Sequence, residues 1–235
     1  MDFKLVILAV APAITLVLFI YFFDKHDKEP ISLLLKVFFF GALAVIPIVY
    51  VEDLLMTFNI FPGLASAFYV SFIVAGFTEE FFKRLVVMKI AFKNQHYSEK
   101  LDGIVYSVMA SLGFATVENI MYVAISFKDD IYVGITRAFL SVPAHMLFGI
   151  SMGYYLSRSK YASSTYDANK YYKKSLIVPM ILHGTFNFIL LSNHPLLIIV
   201  FIPYLIYLWS VSIKRLKIYQ LESKNESEYE NMIDN

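Results

Sequence analysis

The chain has no cysteine and one tryptophan, and its 20 lysines and arginines with 19 aspartates and glutamates make up only 17% of 235 residues. Without cysteine there is no disulfide, no thiolate metal site and no cysteine nucleophile. Soluble domains carry roughly 25% charged residues, and a net charge of +1 lacks the basic excess that nucleic-acid binding draws on. Apolar side chains fill the place of the missing charges: 58% of residues are hydrophobic and 17% aromatic. One water-soluble core of this size cannot hide them all. The composition predicts a polytopic membrane protein whose surroundings include the lipid bilayer.

About seven runs are long enough to cross a bilayer: roughly 3–23, 30–50, 64–90, 103–127, 131–157, 174–192 and 195–212. The third and fifth are overlong and are expected to tilt or to continue past the lipid. Ala9-Val10-Ala11 has the look of a signal cleavage site, but the apolar run continues well beyond it, so the first run reads as a retained helix. The expected fold is all-α, a membrane helical bundle of about seven transmembrane helices. Residues 1–217 form its one domain, and a polar tail over 218–235 is expected to be disordered.

Lysine and arginine give the orientation. Connections 24–29, 91–102 and 158–174 and the residues Lys214, Arg215 and Lys217 are basic, whereas 51–63 and 193–194 hold no lysine or arginine. The remaining connection has Lys128 beside Asp129 and Asp130, and Lys4 is the one basic residue against the trend. The positive-inside rule therefore places the N-terminus outside and the C-terminus inside. Segment 158–172 reads as an inner loop. Residues 51–63, with Glu52, Asp53 and Pro62, read as lying along the outer interface.

Against this apolar background stand Glu79 and Glu80 in the third span, Glu118 in the fourth, His145 in the fifth and His183 in the sixth. An ionisable group at bilayer depth costs several kcal/mol, on the order of 3 by insertion scales, so such residues mark functional sites by default. Four successive spans offer acid or imidazole at similar depth. Lys83 and Arg84 follow Glu80 by three and four residues and can pair with it on a helix face. Asn187 follows His183 by four. Gly149 and Gly153 continue the face of His145 and allow another helix close approach.

Each feature also has a plain structural reading. Glu80 with Lys83 or Arg84 is an ordinary ion pair, a lone membrane histidine is often a packing hydrogen-bonder, and the glycine strip is packing. Arg137 and Asp102 lie near helix ends, where snorkelling or capping accounts for them. His26, His96 and His194 fall in loops and are assigned no role. The joint occurrence of the five buried ionisable residues favours a site.

Two imidazoles and a carboxylate with an open position form a hydrolytic zinc arrangement. His145, His183 and Glu118 are candidate ligands, with Glu80 as general base and Glu79 tuning it. Without metal, Glu80 activates water directly while His183 and Asn187 stabilise the oxyanion. No His-Glu-x-x-His motif is present, and spacing alone leaves both routes open. A proton-coupled transporter using the same cluster, and a non-catalytic scaffold, are the alternatives; the transporter reading lacks the repeat symmetry it would be expected to show.

Phe77-Thr78-Glu79-Glu80-Phe81-Phe82-Lys83, Phe114-Ala115-Thr116-Val117-Glu118-Asn119, His145 with Gly149 and Gly153, and His183-Gly184-Thr185-Phe186-Asn187 together resemble the successive motifs of PrsW-type intramembrane metalloproteases. The resemblance covers about 70–190. Glu79, Glu80 and Arg84, and His183 with Asn187, are also similar to motifs of the CAAX-processing and bacteriocin-processing membrane proteases, in which a histidine stands where this chain has Glu118. The resemblance implies a multi-pass endopeptidase of the bacterial plasma membrane. It implies Glu79, Glu80, Glu118, His145, His183 and Asn187 as catalytic residues, with Lys83, Arg84 and Asn119 supporting them. The implied substrate is a membrane protein, a single-span anti-sigma factor cut at the outer side as the first step of a stress response.

Overall fold

A computed structural model describes residues 3–123 and 131–233. Lys128, Asp129 and Asp130 lie outside the described residues. The regular structure that is described is helical throughout: α1 (Phe3–Phe23), α2 (Ile31–Leu43), α3 (Val45–Met56), α4 (Gly63–Tyr69), α5 (Thr78–Ile90), α6 (Lys100–Met121), α7 (Ile131–Thr136), α8 (Val142–Lys160), α9 (Thr165–Leu191) and α10 (Pro195–Ile233). Six stretches are long and apolar enough to span, and a shorter apolar stretch lies in α1. In lipid only intrasegment hydrogen bonding satisfies a spanning backbone, so apolar runs of this length become helices.

Two spans are interrupted rather than broken. A π-helical turn over Val70–Phe77 joins α4 to α5, and another over Arg137–Ser141 joins α7 to α8. Each extra residue per turn shifts the facing of the side chains that follow. Glu79 and Glu80 follow the first turn, and His145 follows the second. A further break at Ala44 separates α2 from α3, where Pro47 cannot donate to the carbonyl four residues back.

α6 is the centre of the bundle, buried along nearly its whole length and packed against α1, α2, α5 and α8. Gly149 and Gly153 of α8 face it: a Cβ at Gly149 would come within 2.9 Å of the Ser107 carbonyl, and one at Gly153 would overlap the Gly103 backbone. The glycine strip is thus a packing face, its plain reading, and it draws α8 in at the level of His145.

The connections 24–30, 91–99 and 161–164 gather at one end. There Ser98 Oγ donates to Asp27 Oδ2 at 3.0 Å, Tyr161 OH to the Tyr97 carbonyl at 3.1 Å, Lys160 Nζ to the Phe92 carbonyl at 2.9 Å, and Tyr106 OH to Glu29. Asp102 caps α6, accepting from the Ser98 and Glu99 amides at 2.7 Å each. Burial pushes Asp24 up to about 6 and Glu29 and Glu99 each up to about 7.

Three expectations change here. The loop expected over 158–172 is confined to 161–164, because Ser164 caps α9 by accepting from the Asp167 amide at 3.1 Å. The tail expected to be disordered from 218 is helical to Ile233. Its first turns are docked: Gln220 donates to the Phe23 carbonyl at 3.1 Å, and Lys100 pairs with Glu222 at 2.8 Å. Residues 51–56, expected to belong to the connection 51–63, are the last turn and a half of α3.

Candidate active site

The sequence puts one acid pair at the start of α5, and the fold brings two histidines to it from different helices. α9 can approach this closely because the π-turn before α5 presents Gly76: a Cβ there would lie 3.1 Å from the Met180 carbonyl and 3.2 Å from the Gly184 amide. One residue before Gly184, His183 then sets its Nδ1 at 3.0 Å from Glu80 Oε1 and 3.8 Å from Glu79 Oε2. α8, held on α6 by its glycines, brings the His145 ring to 5.2 Å from the His183 ring, perpendicular to it.

Aromatic packing fixes both imidazoles. Phe148 stacks on His183 at 4.9 Å, and Phe114 meets His145 edge-on at 5.4 Å. The Asn187 side-chain amide lies 3.1 Å from His183 Nε2. With that amide donating, the ring proton sits on Nδ1 and is shared with Glu80. This is the i, i+4 pair that the spacing anticipates.

Lys83 stands among the acids. Its Nζ is 2.5 Å from Glu80 Oε1, 3.5 Å from Glu79 Oε2 and 3.3 Å from His145 Nδ1, over the face of Phe114 at 4.7 Å. An ammonium wholly out of water requires such partners on every side. Arg84, expected on the same face, turns away: its Nε donates to Ser175 Oγ at 2.8 Å and its Nη2 to the Tyr172 carbonyl at 3.1 Å. It ties α5 to α9 and does not touch the acids.

Glu118 does not take the place expected of it. Ligand atoms of Glu79, Glu80, His145 and His183 all lie within 4.8 Å of one another, a grouping that omits Glu118. Its Oε2 is instead held by Arg137 Nη2 at 2.7 Å and by His145 Nε2 at 3.1 Å. The carboxylate orients the imidazole from behind, as carboxylates commonly do for metal-binding histidines. Arg137, read from sequence as a snorkelling residue, is therefore part of the site, and its Nε bonds Asn119 Oδ1 at 3.0 Å. Asn119 also donates to the Ala9 carbonyl at 2.9 Å, anchoring α1. The sequence could not show this, because Arg137 lies 19 residues from Glu118 on another helix.

The donor set fits a metal. Two imidazoles and two carboxylates suit zinc in number and type. Glu80 Oε2 is buried without a hydrogen-bond partner, an orphan that a cation would satisfy. A cavity of about 490 Å³ opens beside the group, lined by Glu79, Glu118, His145, His183 and Asn187 but not by Glu80. Its lining reaches Met56 and Leu191, the last residues of α3 and α9, at the end of the bundle opposite connections 24–30 and 161–164.

Residues 29–211 match the family described as PrsW family intramembrane metalloprotease. The chain belongs to the PrsW family. It is 40% identical over 225 residues to a Protease PrsW of Clostridioides difficile (strain 630), covering 95% of this chain and 94% of that one. It is 36% identical over 217 residues to a Protease PrsW of Bacillus subtilis (strain 168), covering 92% and 95%. No solved structure matches it. As a PrsW-family intramembrane metalloprotease, the chain is a multi-pass bacterial membrane protein acting on membrane protein substrates. The match contains all the buried acids and imidazoles of the group and its cavity.

Proposed function

We propose that this chain is a zinc-dependent intramembrane endopeptidase that cuts a single-span anti-sigma factor, the first step of a stress-signalling cascade. The observation that carries the chemistry is the convergence of Glu79, Glu80, His145 and His183 donors within 4.8 Å, from three helices, beside a cavity. Glu80, His145 and His183 would hold the metal as a two-histidine, one-carboxylate set, the cation taking the place of the proton on His183 Nδ1 and displacing Lys83 from Glu80 and His145. When bound, zinc polarises the scissile carbonyl and acidifies water.

The two glutamates exchange the roles expected from sequence. Glu80 is shut off from the cavity, whereas Glu79 lines it. Glu79 is thus the group that takes the proton of the attacking water and passes it to the leaving amine. Asn187 lines the same wall and has a side-chain N–H to offer the carbonyl oxygen of the substrate. Glu118 and Arg137 keep His145 in one orientation.

A metal-free route, in which a glutamate activates water alone, has one observation in its favour: Lys83 already balances both acids. Chelation separates the two. The cavity opens at the end of the bundle whose connections 51–63 and 192–194 hold no lysine or arginine. By the positive-inside rule this is the outer face, with the N-terminus outside and the C-terminus inside, and it supports a cut on the outer side of the substrate.

The test is cleavage of a co-purified, tagged single-span anti-sigma factor in detergent. Wild type is expected to release an outer fragment, to stop when zinc is chelated and to recover when zinc is returned. Cleavage that persists under chelation removes the metal. Cleavage that persists in Glu79→Gln and His183→Ala removes the site.

A further inference from the structure

The catalytic cavity has one wall that the chemistry above leaves without a task. α3 contributes Glu52 and Asp53 to its lining, together with Ile48 and Met56. Glu52 is half-buried on this wall, one turn before the helix ends, and the chain supplies it with no hydrogen bond or ion pair among the described residues. The charged groups that act on it are Glu118, Lys83 and Asp53, two of them acidic.

The cations of the region are already engaged. Arg137 lines the cavity, but its guanidinium is bonded to Glu118 and Asn119 and lies over the Tyr122 ring at 3.8 Å. Lys83 is fully buried behind the wall, against Glu79 and Glu80. The cavity surface therefore carries four carboxyl groups, Glu52, Asp53, Glu79 and Glu118, against one guanidinium that is already paired. A carboxylate on a cavity wall without a protein partner is free to pair with a cation that arrives with the substrate.

We infer that Glu52 is a specificity-determining residue, receiving a lysine or arginine side chain of the substrate close to the scissile bond, with Asp53 in the same turn reinforcing it. This rests on the reading of the cavity as a protease site. The position suits such a contact. Val45, Ile48 and Phe114 make the adjoining wall apolar, and Glu52 and Asp53 stand in the last turns of α3 beyond it. A long basic side chain can lie along the apolar wall and place its charge at the mouth. Acidic residues at the same place meet like charge and are rejected, which is how a binding surface selects against the wrong sequence.

The experiment uses the full-length protein in detergent and a single-span anti-sigma reporter, with Lys, Gln or Glu placed in turn at each of the positions flanking its cut. The readout is the ratio of cleavage rates among reporters, which a partly misfolded variant leaves intact. Wild type is expected to cut the best Lys reporter about tenfold or more faster than its Glu counterpart, the factor that roughly 1.4 kcal/mol of pairing gives. Glu52→Gln should bring that ratio close to one, and Glu52→Lys should invert it. A wild-type enzyme that cuts all the reporters without regard to charge, or a Glu52→Gln variant that keeps the lysine preference, overturns the assignment of Glu52 alone. A wild-type enzyme that cuts none of them overturns the protease reading of the cavity, and the role of Glu52 with it.

Discussion

His183 Nδ1 lies 3.0 Å from Glu80 Oε1, a contact between residues 103 apart in the chain that joins α9 to α5 in the middle of the bundle. Both groups are buried, and they belong to one network in which Lys83 also holds Glu80 and Asn187 also holds His183. Glu80→Gln and His183→Ala are each expected to lower cleavage by at least about 100-fold, the lower range for loss of an acid-base or ligand group. Membrane insertion should persist, as judged by yield and by a single peak in detergent chromatography. Parental activity in either variant would remove this pair from the chemistry.

Arg137 and Glu118 act on His145 from behind. Arg137→Ala is expected to cost about 10–100-fold in activity, the range typical of residues that orient a metal ligand. Glu118→Gln should cost a similar factor. Because both act through one imidazole, the double variant should fall well short of the product of the two losses. Fully multiplicative losses would show that they act separately.

Gly153 and Gly149 set the distance between α8 and α6. Gly153→Leu forces a side chain into the Gly103 backbone and is expected to destabilise the bundle by about 1–3 kcal/mol, as overpacking does. Thermal unfolding in detergent measures this, and an unchanged midpoint would mean that the two helices are not held this closely. Gly63 offers the control: nothing lies near a Cβ there, but its positive φ of 55° makes any substitution strain the turn rather than the interface.

The carboxyl groups at the end formed by connections 24–30 and 91–99 give a pH dependence of stability. Burial raises Asp24 to about 6 and Glu29 and Glu99 each to about 7, so the folded protein holds protons that the unfolded chain releases at lower pH. Their contribution is fully present below the ordinary carboxylate range and is lost as pH rises to about 7. The melting temperature should therefore decline between about pH 5 and pH 8, and Glu29→Gln or Glu99→Gln should flatten the slope. A melting temperature that rises over this window in wild type would contradict the burial of these groups.

Much of the architecture was open to reading from the chain because lipid imposes a simple rule on the backbone. Runs such as 30–50 and 195–212 have no alternative to helix. The i, i+4 pair of His183 and Asn187 and the i, i+3 pair of Glu80 and Lys83 follow from helical repeat alone. The capping of α9 by Ser164 is also written locally, as Ser164-Thr165-Tyr166-Asp167, within the polar composition of 158–172. The helical course of residues 218–233 had no such local sign: Gln220 and Glu222 gain their partners from Phe23 and Lys100, distant in sequence.

The sequence by itself determined that the chain is a helical membrane protein with acids and imidazoles on four successive spans, since hydropathy and the cost of buried charge are local quantities. The tertiary structure alone decided how those groups are divided: Glu118 to Arg137 and His145, Arg84 to Ser175 and Tyr172, Glu80 into the interior, and Glu79 and Glu52 onto the cavity wall. The physical reason is rotation. Which face a residue presents after a π-turn, and which neighbour a glycine strip admits, depend on contacts between helices far apart in the chain, and no local pattern of residues carries that information.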